Sequence, residues 1–214
     1  MKRATILVAL AMFALVGTAQ AQLSAGVKAG VDLANLGGDA EELLEVNLSS
    51  KLGFSAGAFL GVDLHEYFRL QFEVQYVQKG AKAEEGGVDI KFNLDYVEFM
   101  VPLTLLIPVE GAVAPRIYAG PALGLEVSCK FSGDEGGVSI DIDCADAGVD
   151  TKSIDYGVFF GAGVDFAIGS GAIMLDVLYN LGLSNINDTA GTTDMTAKNT
   201  NIQFLAGYRF FFGS

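Results

Sequence analysis

Apolar and polar side chains alternate with period 2 through most of this chain. The clearest run is Thr200 to Phe212. There Ile202, Phe204, Ala206, Tyr208, Phe210 and Phe212 fall on one face of an extended strand, and Asn201, Gln203, Gly207 and Arg209 fall on the other with Leu205 and Phe211. An apolar face ending in aromatics, backed by a polar face, suits a strand between lipid and a polar lumen. The same alternation predicts seven earlier strands: Leu23–Asn35, Gly53–Leu64, Phe68–Val77, Phe92–Ile107, Pro115–Ser128, Ile154–Ala167 and Ala172–Leu183. Pro102 cannot donate a ladder hydrogen bond, so a bulge or break is expected in the fourth. The connections run long, short, long, short, long, short, long. The long ones are Leu36–Leu52, Gln78–Lys91, Cys129–Ser153 and Ser184–Asn199, all read as loops. Loops sorted by end predict an all-β, eight-stranded antiparallel up-and-down transmembrane β-barrel, with short periplasmic turns and long outer loops.

Composition sharpens this picture. Hydrophobic residues make up 51% of the 214, and 27 are glycine, yet past the N-terminus no stretch approaches the ~20 apolar residues of a membrane helix. A barrel resolves the tension by dispersing its apolar residues on alternate positions. The first 21 residues read as an address. Met1-Lys2-Arg3 is basic, Ala4 to Val16 is apolar but too short to span, and Ala19-Gln20-Ala21 is an A-x-A pattern. Cleavage between Ala21 and Gln22 is expected, leaving one barrel domain over 22–214.

Charge excludes one class of partner. The chain carries 13 basic and 26 acidic residues, the reverse of a nucleic-acid binder. Many acids fall between strands, among them Glu41, Glu42, Glu84, Glu85, Asp141 and Asp143. They read as solvated outer loops; no run matches a D-x-[DN]-x-[DN]-G calcium loop. Cys129 and Cys144 lie in one such segment, and export to an oxidising compartment predicts a disulfide between them. Two free thiols or a metal pair are the alternatives, but no His or third Cys lies nearby to complete a zinc site.

The inward faces carry the remaining chemistry. Lys28, Arg69 and Arg209 are expected to meet Asp32, Asp63, Glu73, Glu98, Glu126, Asp155, Asp165 and Asp176 in the lumen. Buried charges must pair or meet water, so Lys28, Arg69, Glu73, Glu98, Asp165, Asp176 and Arg209 are expected to form a network that plugs a narrow barrel. A gated or narrow ion path is the other reading. Catalytic chemistry is absent. Gly53-Phe54-Ser55-Ala56-Gly57 matches G-x-S-x-G but lies inside a strand rather than at a strand-to-helix elbow. The single histidine, His65, is ten residues further on, about 33 Å along an extended chain. No enzyme activity, cofactor or metal is expected.

AGVKAGVDLANL (Ala25 to Leu36), LDYVEF (Leu94 to Phe99), YAGPALGL (Tyr118 to Leu125), GVFFGAGVDF (Gly157 to Phe166) and LDVLYNLGLSNI (Leu175 to Ile186) together resemble the small outer-membrane β-barrel family labelled porin-family or PorT-like, similar in size to OmpX-type proteins. The resemblance spans the mature chain. It implies a bacterial outer-membrane protein reached through the general secretory pathway. Phe204, Tyr208, Phe210 and Phe212 resemble the C-terminal signal read by the barrel-insertion machinery. The expected task is a structural or surface-interaction scaffold with acidic outer loops, acting as a monomer in outer-membrane lipid; a narrow porin-like channel for ions or small solutes is the alternative. No external ligand is readable.

Overall fold

The structure is a computed structural model that describes residues 22–44, 46–85, 88–135, 138–189 and 194–212. The expected signal peptide, residues 1–21, lies outside the described residues. The elements are β1 (Leu23–Gly38), α1 (Ala40–Leu44), β2 (Leu48–Ser49), β3 (Lys51–His65), β4 (Phe68–Glu85), β5 (Val88–Met100), β6 (Leu103–Leu106), β7 (Val113–Glu135), β8 (Val138–Asp143), β9 (Ile154–Ile168), β10 (Gly171–Gly182) and β11 (Ala197–Phe212).

The wall is a closed antiparallel circuit. β1 pairs with β3, β3 with β4, and β4 with β5 and then β6. β5 and β6 both pair with β7, which pairs with β9, then β10 and β11 follow. β11 returns to β1 in continuous register from Leu23 opposite Phe212 to Gly38 opposite Ala197. Since β5 and β6 form one crossing interrupted at Val101-Pro102, the wall has eight strands. Closure leaves it no free edge. The break falls where proline cannot donate, but its carbonyl still accepts from Gln71 N at 2.9 Å.

Alternation decides which way each side chain points. Val27, Phe54, Leu60, Phe72, Phe99, Leu123, Val177 and Phe204 stand exposed around the outside. An apolar surface on every strand far exceeds the few hundred Å² that a soluble monomer tolerates. Their neighbours in sequence point inward and are buried. Small inward residues make room for large ones: a Cβ on Gly161 would overlap the Tyr118 ring, and one on Gly26 would overlap Phe59.

Two of the expected long loops are largely strand. Gln78 to Lys91 continues β4 and β5 upward as a hairpin, with Gln78 opposite Asp95 and Glu84 opposite Asp89. Cys129 to Ser153 begins as the upper part of β7, which turns back as β8. Beyond the apolar band neither face needs lipid, so these extensions lose the alternation that marks the spans. A bulge re-aims the upper part of β7. Asp95 faces Ser128 while Tyr96 faces Glu126, so Val127 is the extra residue. Past it, Cys129 and Phe131 lie opposite Leu94 and Phe92, on the inner face. They pack there against a buried apolar cluster that includes Leu36, Ala40, Val77, Tyr96 and Ile186. Cys129 and Cys144 are joined by a disulfide with Cα atoms 5.5 Å apart.

Candidate functional site

The lumen is the one place where the fold gathers chemistry, and it is filled in layers. At the end of the short turns, three arginines meet three aspartates. Arg116 Nε lies 2.7 Å from Asp165 and its Nη1 lies 2.8 Å from Asp176. Arg69 pairs with Asp63 and reaches Asp165 at 3.5 Å. Arg209 approaches Asp165 at 3.6 Å, donates to Gln71 at 2.9 Å and to Ser24 at 3.1 Å, and lies over the Phe59 ring, 4.7 Å from its centroid. Arg209 is the largest fully buried side chain among the described residues. Charge-assisted bonds of this density offset the cost of removing guanidinium and carboxylate from water.

At mid-height Lys28 Nζ sits 2.7 Å from Glu73. The gap ringed by Lys28, Glu73, Arg116 and Asp176 has no free volume for a water molecule. Beside it Met100, Tyr118, Ala122, Phe159 and Leu178 form an apolar cluster on the β5–β7–β9–β10 side of the lumen. Above that, Lys79 Nζ bridges Glu98 at 2.5 Å and Asp155 at 3.3 Å. Asn180 and Gln75 donate to Glu98 at 3.2 and 2.9 Å, and Asn199 donates to Asp155 at 3.0 Å. Ser184 donates to the other Asp155 oxygen. Asp32 accepts from Asn201 at 2.8 Å.

The loop end is closed by packing rather than by charge. Leu36, Ala40, Ile186 and Ala197 cover the mouth with Phe92 and the Cys129–Cys144 bridge beneath. Asp39 ties this cover across the barrel. Its Oδ2 accepts from Thr196 N at 2.9 Å and from Thr196 Oγ1 at 3.0 Å, and its own N–H donates to Thr196 O at 2.6 Å. The backbone hydrogen bond from Thr196, followed by the hydroxyl, holds the Asp39 carboxyl below its ordinary 3.8.

Each charged residue singled out in the sequence sits inside the wall, although Glu98 meets Lys79 rather than Lys28. Three buried cations escape the sequence reading, Lys51 among them, in the segment read as the first long loop. Lys79 falls in a segment read as loop, and Arg116 stands unmarked at the start of its strand. Both lie in phase with inward neighbours, Lys79 with Gln75 and Val77, Arg116 with Tyr118 and Gly120, and that phase is the available signal. Phe204, Phe210 and Phe212 are exposed on the outer face of β11, with Tyr208 half-buried beside them. His65 and Ser55 lie at opposite ends of β3. Among the described residues no three His, Cys, Asp or Glu side chains converge to hold a metal, and no helix is long and apolar enough to cross a membrane.

Comparison with known proteins agrees with this architecture. A family model described as outer membrane protein beta-barrel domain matches residues 18–188. No curated protein matches the chain. Among solved structures the chain is similar to OprG from Pseudomonas aeruginosa, with TM-score 0.56 and 12% identity over 92% of this chain and 97% of that one. It is also similar to a major outer membrane protein from Thermus thermophilus, with TM-score 0.55 and 11% identity over 90% and 99%. Neisserial surface protein A matches with TM-score 0.53 and 16% identity over 88% and 97%. At such identities these structures speak for the fold alone. The family match, covering most of the chain, shows that this protein belongs to the outer membrane protein beta-barrel domain family, with its place in the bacterial outer membrane and its apolar outer face in lipid.

Proposed function

We propose that this protein is a non-conducting barrel scaffold, anchored in lipid, that presents a folded acidic surface at its loop end. The carrying observation is the continuity of the filling. A three-arginine layer, the Lys28–Glu73 pair, an apolar cluster, the Lys79 layer and an apolar cover follow one another along the lumen. A hydrated ion needs an unbroken wet path, and this filling interrupts it. The loop end is then the part that meets the surroundings, with the β4–β5 and β7–β8 hairpins rising above the wall. The long-loop end faces outward and the short turns face the periplasm, as barrels of this kind are built. Closure of β1 onto β11 leaves no wall strand for a second copy to pair with, which supports a monomer. The exposed aromatics of β11 support recognition by the barrel-insertion machinery, after export and cleavage at Ala21.

Planar-bilayer recording tests the scaffold reading. The expected result is a silent bilayer, which stays silent when Arg209 and Arg116 are both replaced by alanine because the layers above them still close the lumen. Steady ion conductance from the unaltered protein would establish the narrow-channel alternative instead.

A further inference from the structure

Cations are scarce on the outside of this chain, and they are gathered on one surface. Six of the 13 basic residues are buried in the lumen, and Lys2 and Arg3 precede the described residues. Of the remaining five, Lys82, Lys91 and Lys130 stand on the sheet that β4, β5 and β7 extend above the wall. Lys82 lies directly opposite Lys91, and Lys130 lies opposite Asn93, two residues along β5 from Lys91. Their neighbours fix the face they share. Phe92 and Phe131 meet on the inner side with ring centroids 4.8 Å apart, whereas Asn93 donates to Ser132 at 2.8 Å on the other side. Lys91 and Lys130 flank those phenylalanines in sequence and point outward with Asn93 and Ser132. Lys82 does the same between buried Ala81 and Ala83.

Like charges directly opposed on a ladder destabilise a sheet, and diagonal neighbours lie only ~7–8 Å apart. The lysine ion pairs among the described residues belong to Lys28 and Lys79, which leaves these three without one. Asp143 opposite Lys130, Asp141 opposite Ser132 and Asp95 one rung below Asn93 share the face without reaching ion-pair distance of them. By register, Glu84, Asp89 and Asp134 stand in the rung above. Gln78, Asp95 and Ser128 make the first polar row above outward Tyr76, Val97 and Leu125. Lys130 stands one rung above that row and Lys82 and Lys91 two, ~7 and ~13 Å along the strands. A strand tilt of ~40° turns these into heights of ~5 and ~10 Å. A phospholipid headgroup layer is only ~5–8 Å deep, so the lysines begin within that layer and rise past it.

We propose that this surface binds the phosphorylated sugar headgroup of an outer-leaflet glycolipid, with phosphate held by Lys82, Lys91 and Lys130. An anion among the three ammonium groups turns a repulsion into charge-assisted hydrogen bonds. Lysine suits the role, because it is a point charge on a flexible stem and asks for no fixed phosphate geometry. Ser132 accepts from Asn93, so its own hydroxyl hydrogen is left to donate to the same headgroup. Clusters of this kind draw anionic lipid when they lie close to the membrane surface. A simple phosphodiester headgroup ends near the level of Lys130, whereas a sugar headgroup carrying phosphate reaches Lys82 and Lys91. The acyl chains of that lipid then lie against the apolar wall below, at Val97 and Leu125. There the Tyr76 hydroxyl accepts from Gln78 at 3.4 Å, a tyrosine at the boundary between apolar and polar surface. The inference rests on the outward orientation of the loop end and is independent of conductance.

The test is titration of the detergent-solubilised full barrel with lipid A, a doubly phosphorylated disaccharide lipid, read by native mass spectrometry. Binding is expected to saturate and to weaken as salt rises. Lys82→Gln, Lys91→Gln and Lys130→Gln together should weaken it at least tenfold, since each near-surface cation is worth about fivefold. Lys152→Gln with Lys198→Gln, which removes charge away from this surface, should leave it within about twofold. Dephosphorylated lipid A and phosphatidylglycerol should each bind at least tenfold more weakly, and inorganic phosphate at equal concentration should not compete. Without lipid, Lys91→Gln should leave the melting midpoint unchanged or raised, because it relieves the repulsion with Lys82. Equal binding of the phosphorylated and dephosphorylated lipids, an unaltered affinity in the triple variant, or an equal loss in the Lys152, Lys198 control would each overturn the proposal. So would phosphatidylglycerol or free phosphate binding as tightly as lipid A, or a lowered lipid-free midpoint in Lys91→Gln. Exposed Lys130→Gln alone should weaken binding severalfold, and an unaltered affinity there decides against the proposal even where the triple variant does not fold. Protease digestion of intact cells reads the orientation separately. Binding without cleavage of the hairpins would overturn the outward reading and the proposal with it, whereas cleavage without binding overturns the proposal alone.

Discussion

Arg116 holds two carboxylates that no other residue can hold together. Its Nε and Nη1 lie 2.7 and 2.8 Å from Asp165 and Asp176, on two different strands. Replacing it with methionine keeps volume but strands buried Asp176, while Asp165 keeps Arg69 and Arg209 nearby, and breaking a buried pair this way costs ~3–5 kcal/mol. Urea unfolding of Arg116→Met in detergent should show a loss of that size. Restoring neutrality with Asp176→Asn in the same chain should recover much of it. Asp39 behaves oppositely because it lies in water at the loop end. Its hydrogen bonds from Thr196 favour the charged form, so its contribution is present above pH 3.8 and is lost as pH falls through its lowered value. Protection factors at Thr196 and Ala197, corrected for intrinsic exchange, should therefore fall as pH drops below 3.8, and Asp39→Asn should show weakened protection at every higher pH. Protection unchanged across that range would mean that the latch does not hold the cover.

The hairpins above the wall obey a different logic from the strands within it. Inside the membrane one face of each strand must meet lipid, and the resulting alternation makes β1, β3, β9, β10 and β11 legible to within a few residues. Above the membrane both faces meet water or loop-end packing. Ala81, Lys82 and Ala83 then read as loop although they lie in β4, and Lys79 goes unseen as a lumenal cation with them. The bulge at Val127 is equally silent, since its signature is a pairing offset rather than a residue type. It matters, because without it Cys129 would point outward with Leu123 and Leu125 and could not join Cys144 under the cover. The disulfide closes a segment of 15 residues, for which loop-closure entropy gives about 3 kcal/mol. The double variant Cys129→Ser, Cys144→Ser should keep the folded, compact band of the barrel on an unheated gel. Limited proteolysis should now cut between β7 and β9. A band that collapses with the hairpin would show that the two fold as one unit.

Closure is the property on which the rest of the architecture depends, and it runs through the last strand. β11 is the sole partner of β10 on one side and of β1 on the other. Its inner face supplies Arg209, Gln203, Asn201 and Asn199 to successive layers of the filling, and its outer face supplies exposed Phe204, Phe210 and Phe212. Deleting Tyr208 to Ser214 would strip the pairings that join Leu23–Val27 to Phe212–Tyr208. It would also remove Arg209 from beside Asp165, Gln71 and Ser24. The wall would then hold two open edges in a solvent that cannot hydrogen-bond them, and in lipid every backbone polar group must be met internally. Partial insertion is thus excluded on energetic grounds before any question of recognition arises. The truncated chain should be missing from the outer-membrane fraction, and it should lack the mobility shift that distinguishes folded from heated barrel on a gel. A chain that keeps the pairings but replaces Phe210 and Phe212 with serine separates the two roles. If the aromatics are read by the insertion machinery, that chain should fold in detergent in vitro yet fail to reach the membrane in cells. Normal insertion of the serine variant would assign the aromatics to the lipid interface alone.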